Sequence, residues 1–189
     1  MKLDTDGSFI GNPGMAGCGG VIRDDRGCWI AGFSKRIGIT NSLVAELWGL
    51  RDGFMLCCSL NISSLVVELD AKAIVHVLGN PSYVNNIVSP ILDNCRLLVS
   101  RIQQILIKHC FRQVNRCADS LVRMSISQDF EFSSFDSLLV DIAIVFEDDL
   151  NEMYSIRICP EPIVAPLFVL LNCLLPKRKS YINISYNYI

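Results

Sequence analysis

Histidine is scarce in this chain, with two among 189 residues, and no pair of its nine cysteines has the CxxC spacing of a zinc or redox site. That excludes imidazole- or thiolate-based metal chemistry as the centre of its function. Any metal must rest on carboxylates, which select hard cations such as Mg²⁺. The odd cysteine number fits reduced, mostly buried thiols better than a disulfide framework. Long apolar runs are also missing. A spanning helix needs about 20 apolar residues, whereas the longest stretch, Ile163 to Leu175, contains Pro166 and Asn172 and runs into Pro176. Near the start, Lys2, Asp4 and Asp6 stand where a secretory leader would carry its apolar segment. An intracellular protein of nucleus or cytoplasm is expected, neither secreted nor membrane-bound, and a monomer.

What is present is a composition 51% hydrophobic, ample for a buried core and incompatible with a disordered chain. The net charge of −2 conceals an asymmetry: residues 1–125 hold 13 Lys+Arg against 10 Asp+Glu, and residues 126–189 hold 4 against 9. A mildly basic module followed by an acidic extension suggests a boundary near Gln128, although +3 over such a length is also what an ordinary solvated surface carries.

Hydrophobic periodicity supplies the element order. Lys2 to Phe9 alternates in period two and enters the turn-prone Asp6-Gly7-Ser8. Gly19 to Arg23 and Trp29 to Arg36 read as two more strands joined through Asp24-Asp25-Arg26-Gly27, making an antiparallel meander. From Asn41 the period becomes helical, with Leu43, Leu47, Leu50 and Phe54 on one face and Thr40, Asn41 or Ser42 as N-cap. Ser64 to Leu69 is a β-branched strand ending at Asp70, followed by a helix that stops at Gly79-Asn80-Pro81. A helix over Asn85–Ser100, a strand over Ile102–Phe111 and a helix over Asn115–Ser125 complete the module. The expected class is α/β, a five-stranded mixed sheet flanked by helices, with three antiparallel strands and then two parallel ones.

Acidic residues fall at the edges of these elements. Asp6 ends the first strand, Glu46 lies near the start of the first helix, Asp70 ends the fourth strand and Asp119 sits in the last helix. If those ends converge, four carboxylates share one cleft, and their mutual repulsion makes sense mainly around divalent cations. Two Mg²⁺ about 3.5 to 4 Å apart activate a water and stabilise a leaving phosphate oxygen. Each acid also has a plainer reading: Asp6-Gly7 as a turn, Asp70 as an N-cap, Glu46 as a charge favoured near a helix N-terminus, and Asp119 as a solvated helical acid.

The run Asp6-Gly7-Ser8-Phe9-Ile10-Gly11-Asn12-Pro13-Gly14, then Ala45-Glu46-Leu47, Val67-Glu68-Leu69-Asp70, and His109 ten residues before Asp119 resembles type 1 ribonuclease H over residues 1 to about 125. Trp29-Ile30-Ala31-Gly32-Phe33 and Ala45-Glu46-Leu47-Trp48 are closest to the plant form derived from non-LTR retroelements. The resemblance implies a ribonuclease H-like fold and an endonuclease that cuts the RNA strand of an RNA/DNA hybrid. Asp6, Glu46, Asp70 and Asp119 would hold two Mg²⁺, with Mn²⁺ as a substitute, and His109 would assist from a mobile loop. Ser8, Gly11 and Asn12 match positions that read 2′-hydroxyls. Asn41 and Ser42 match a stretch that contacts the DNA strand, and Arg112 and Arg116 are phosphate candidates. Asp4 and Glu68 are left outside the metal site.

Two departures stand out. Gln113 replaces the Glu that relatives often carry after His-x-x-Arg, and Asn80 to Cys95 contains no Lys or Arg, so the basic segment that bacterial members use to grip the hybrid is absent or reduced. A non-catalytic nucleic-acid-binding module of retroelement descent is the rival reading. Residues 126–189 form a C-terminal extension in which Leu138 to Phe146 is expected to pack on the module, followed by a poorly ordered tail.

Overall fold

The computed structural model describes residues 1–11, 14–80, 82–110, 115–154, 163–164 and 181–186, with backbone alone for 10–11, 151–154 and the last two segments. Strands β1 (Lys2–Gly11), β2 (Gly14–Arg23) and β3 (Trp29–Ile39) form the expected antiparallel meander. The β2–β3 turn closes because the Asp24 carboxylate accepts the N–H groups of Arg26 and Cys28, at 2.9 and 2.8 Å, while Gly27 takes φ +84°, a left-handed conformation that favours glycine. Helix α1 (Ser42–Ser59) starts where Asn41 accepts the Val44 N–H at 3.0 Å. Strand β4 (Ser64–Leu69), helices α2 (Lys72–Leu78) and α3 (Ser89–Val99), strand β5 (Gln104–His109) and helix α4 (Arg116–Ser127) follow.

β1 lies at the centre, antiparallel to β2 and parallel to β4, which is parallel to β5. These five strands are the expected sheet, and it continues further. β6 (Phe132–Phe135) pairs with β3, while β8 (Tyr181–Tyr186) and β7 (Ile163–Val164) follow β5, giving eight strands in the order β6-β3-β2-β1-β4-β5-β8-β7. The extra strands come from the C-terminal extension, to which the sequence reading assigns no strand, and they cover both edges of the five-stranded sheet.

One face of the sheet packs Leu3, Ile22, Val67 and Ile107 against Leu47, Leu50 and Phe54 of α1, with α2 and α3 closing that core. On the other face Val21 meets Cys117 and Leu121 of α4 and Ile142 and Phe146 of α5 (Val140–Tyr154). Among the described cysteines all seven are free thiols; Cys28 is exposed, Cys58 half-buried, and Cys18, Cys57, Cys95, Cys110 and Cys117 are buried. No helix among the described residues is long and apolar enough to cross a membrane.

Two local expectations are corrected. Asp6-Gly7-Ser8 is not a turn: β1 runs unbroken to Gly11, with Asp6 opposite Gly19 and Gly7 opposite Cys18. Glycine is there because a Cβ on Gly7 would lie 2.2 Å from backbone atoms of Ala45 and Glu46 in α1, so the residue answers a close approach and not a bend. The third helix begins at Ser89 instead of Asn85. The Asn85 carboxamide oxygen accepts the N–H groups of Ile87 and Val88, and Pro90, lacking an N–H, fits the first turn that follows.

Candidate active site

Strand register brings the first two acids level. The parallel pairing of β1 with β4 ends at Asp4 opposite Glu68, so two residues further along each chain Asp6 stands beside Asp70. The third acid arrives from α1. Gly49 and Gly53, three and seven residues after Glu46, lie on the same helical stripe and meet the Asp6 carbonyl and Leu3, while Gly7 admits the helix backbone at Glu46 itself. Three glycines thus remove the side chains that would hold α1 off β1. Carboxylate oxygens of Asp6, Glu46 and Asp70 all lie within 4.8 Å of one another, with Asp6 and Glu46 buried and Asp70 half-buried.

This geometry disposes of two plainer readings. Asp70 is no N-cap: Ala71 holds that position in α2 and no side chain caps it. Glu46 lies beyond the first turn of α1, which has no acidic residue. Three carboxylates so close, at the buried end of a central strand, form an oxygen-only donor set fitted to a hard divalent cation.

Asp119 stands outside this group of three. It sits in the first turn of α4, partly exposed, with a carboxylate oxygen 2.8 Å from Arg123 one turn along the same helix. The exposure of that pair makes it weak, worth a few tenths of a kcal/mol. His109 is not on a loop in this structure. It is the last residue of β5, paired with Leu69, and is 7% exposed. Its Nε2–H donates to the Asp70 carbonyl at 3.1 Å, because a carbonyl can only accept. Burial, joined by the nearby Lys72 charge, lowers its pKa against the opposing pull of Asp70, so the neutral ring is favoured.

The nucleic-acid candidates are dispersed. Ser8 is half-buried in β1 beside the acids. Gly11 ends β1 opposite Gly14. Asn41 and Ser42 are exposed at the start of α1, where the Asn41 carboxamide is already capping Val44. Arg116 is exposed on α4 with Asp148 at 3.2 Å. Asn12 and Arg112 lie outside the described residues.

Asp4 and Glu68 belong to a separate network, which explains their place outside the acid triad. Lys2 lies 3.2 Å from Asp4 and 3.0 Å from Glu68, and Arg23 lies 3.6 Å from Asp4. Burial, joined by the Glu68 charge, raises the Asp4 pKa, with Lys2 and Arg23 pulling it back. For Lys2 burial works against the charged form, yet Asp4 and Glu68 outweigh it and the ammonium is held above its ordinary range. Sequence reasoning missed Asn115, a buried side chain whose Nδ2 donates to the Thr5 carbonyl at 2.8 Å and ties the start of α4 to the strand residue before Asp6. Its signal was faint: an Asn just before a helix reads as a cap, and here it makes no side-chain cap.

The chain is similar to known proteins in sequence and in fold. A family model described as reverse transcriptase-like matches residues 4–125. An Arabidopsis thaliana protein, provisionally named a ribonuclease H protein, is 35% identical over 136 residues, covering 72% of this chain and 22% of that protein. The chain therefore spans about a fifth of the length of that relative. Among solved structures, the N-terminal RNase H domain of a Mycobacterium tuberculosis protein gives a TM-score of 0.62 at 26% identity, covering 66% of this chain and 93% of that one. The compost-derived LC11-RNase H1, solved with an RNA/DNA hybrid, gives 0.60 at 27% identity, covering 66% and 95%. RNase H1 from Halobacterium salinarum gives 0.61 at 22% identity, covering 66% and 95%, a likeness of fold.

Proposed function

The chain belongs to the reverse transcriptase-like family of ribonuclease H-fold domains, and from that premise we propose that it is a hydrolase cutting the RNA strand of RNA/DNA hybrids with divalent cations held by Asp6, Glu46 and Asp70. The observation that carries this reading is the convergence of those three carboxylates from two strands and a helix to within 4.8 Å. Left without a cation, such a cluster destabilises the fold by like-charge repulsion, which a bound divalent cation would offset. Mg²⁺, bound as a pair, would supply an activated water and a counter-charge for the leaving oxygen.

The chain's own residues then divide the work. Asp6 and Asp70, level across β1 and β4, face the scissile phosphate from the sheet, and Glu46 approaches from α1. Asp119 completes the set by exchanging its exposed Arg123 partner for the site, a change that costs little because the pair is weak. His109, neutral and anchored on the Asp70 carbonyl, orients the Asp70 segment in this conformation. Ser8, beside Asp6 on β1, reads the RNA strand through its 2′-hydroxyl, and Asn41, Ser42, Arg112 and Arg116 contact the two backbones.

The second reading, a module that binds hybrids without cutting them, is favoured by one observation: Asp119 pairs with Arg123 and not with the other acids. Incubating the full chain with a strand-labelled hybrid and Mg²⁺, beside Asp70→Asn, separates the two. Cleavage of the RNA strand that the substitution abolishes supports the hydrolase; retarded but intact hybrid supports the binding module.

A further inference from the structure

Helix α4 presents Asp119, yet the residue just before it does not cap it: Asn115 makes no side-chain cap and spends its Nδ2 on the Thr5 carbonyl. The exposed N–H groups of a first turn need acceptors, and a carboxylate is favoured there by the helix dipole. The acceptor comes from the C-terminal extension. Asp149 of α5, 2% exposed, takes the Cys117 N–H at 3.0 Å and sits 3.1 Å from the Arg23 guanidinium, itself 2% exposed. Arg23 in turn lies with its guanidinium carbon 4.7 Å from the centre of the Phe146 ring, on the same helix as Asp149.

We infer that Asp149 is a positioning residue for α4, capping its first turn from outside the helix and so fixing where Asp119 can reach. Asp149 lies beyond residues 4–125 matched by the family model, so the extension completes a part of the site that the matched segment leaves open. The inference rests on the hydrolase reading for the role of Asp119, and on geometry alone for the cap. Three features make the contact specific. Asp149 is buried, so its charge is not diluted by solvent; it is matched by a buried cation; and Cys117 is two residues before Asp119, within the same turn. The neighbouring Arg116–Asp148 pair, at 3.2 Å, is exposed at both ends and adds little.

The test uses the full chain and two measurements, backbone hydrogen exchange in α4 and calorimetric titration with Mn²⁺. Replacing both buried charges by apolar groups, Arg23→Met with Asp149→Leu, avoids leaving either one orphaned, and Asp4, which loses Arg23, keeps Lys2 at 3.2 Å. This double variant is expected to unfold cooperatively near the wild-type temperature, with first-turn amides of α4 exchanging at least about tenfold faster, amides of α1 unchanged, and Mn²⁺ affinity about tenfold weaker. Asp149→Asn keeps an acceptor oxygen and is expected to fall between the double variant and wild type in both readouts. If the double variant does not fold, Asp149→Asn still decides, since the inference requires faster exchange at Cys117. Unchanged exchange there overturns the cap. Faster exchange with unchanged Mn²⁺ affinity overturns the positioning role. Failure of the wild type to bind Mn²⁺ overturns the hydrolase reading instead, and exchange alone then decides whether Asp149 caps α4.

Discussion

Replacing Gly7 by Ala adds one methyl group at the point where the site is assembled, and its effect can be worked out. The new Cβ would lie 2.2 Å from the Ala45 carbonyl carbon, 2.2 Å from the Glu46 nitrogen and 2.5 Å from the Ala45 oxygen, all backbone atoms with no rotamer to give way. Ordinary contact begins near 3.4 Å, so β1 and α1 must part by about 1 Å. α1 cannot retreat freely, because Leu47, Leu50, Phe54 and Cys57 are fully buried beneath it. Overpacking of this kind costs about 1 to 3 kcal/mol, and a backbone clash on a pinned helix belongs at the upper end. At roughly 2 to 4 °C per kcal/mol, the melting temperature should fall by about 6 to 12 °C. Asp6 and Glu46 flank the forced gap, and displacement of about 1 Å in a catalytic constellation costs on the order of 10²-fold in rate. Thermal unfolding, Mn²⁺ titration and hybrid cleavage would be measured beside Gly38→Ala, where a Cβ meets nothing within 4 Å and only the φ of +95° is strained. That control should lose about 1 to 2 kcal/mol and keep its metal affinity. A Gly7→Ala protein with wild-type melting temperature and undiminished Mn²⁺ binding would refute the reasoning.

Four further outcomes are expected. Asp70→Asn relieves like-charge repulsion, so without metal the variant should melt higher by about 1 kcal/mol of stability, and Mg²⁺ should stabilise the wild type only; differential scanning calorimetry reads both. Arg123→Ala frees Asp119 from its exposed partner, leaving stability within about 0.5 kcal/mol while lowering the Mg²⁺ concentration for half-maximal cleavage, as a metal titration would report. Arg23→Ala strands the buried Asp149, leaves Asp4 with Lys2 alone, and should cost about 3 to 5 kcal/mol in urea unfolding. Burial pushes the thiols of Cys57, Cys95 and Cys117 up to about 12, so at pH 8 only about one in ten thousand is ionised; native-state alkylation followed by peptide mass mapping should label exposed Cys28 and spare those three.

What the chain announces by itself is local pattern. The strand–helix order, a cap among Thr40, Asn41 and Ser42, and the acids at Glu46 and Asp70 follow from periodicity and from polar residues where an element starts or stops; the structure makes Asn41 the cap and brings the two acids together. Asp6-Gly7 misled because one dipeptide serves two purposes, a turn or a close approach, and only the helix lying across it tells which. The resemblance places His109 on a mobile loop, whereas the alternation over Ile102–Phe111 includes it in a strand, and pairing with Leu69 makes it the last residue of β5. Asp149 was illegible: the contact that gives it a role spans 32 residues to Cys117 and 126 to Arg23, and no periodicity encodes a cap supplied by another helix. The orientation of Asp119 is likewise a choice between two partners that spacing leaves open, since Arg123 at i+4 is as regular a helical neighbour as any.

The account stands on three side chains acting as one cation site. Titrating the full chain with Mn²⁺ in a calorimeter, alongside Glu46→Gln, tests that with no substrate present. Saturable binding in the wild type, weakened at least about tenfold by the substitution without a fall in the metal-free melting temperature, is the predicted result. Wild-type protein that takes up no Mn²⁺, or binds it equally well without the Glu46 carboxylate, would contradict it.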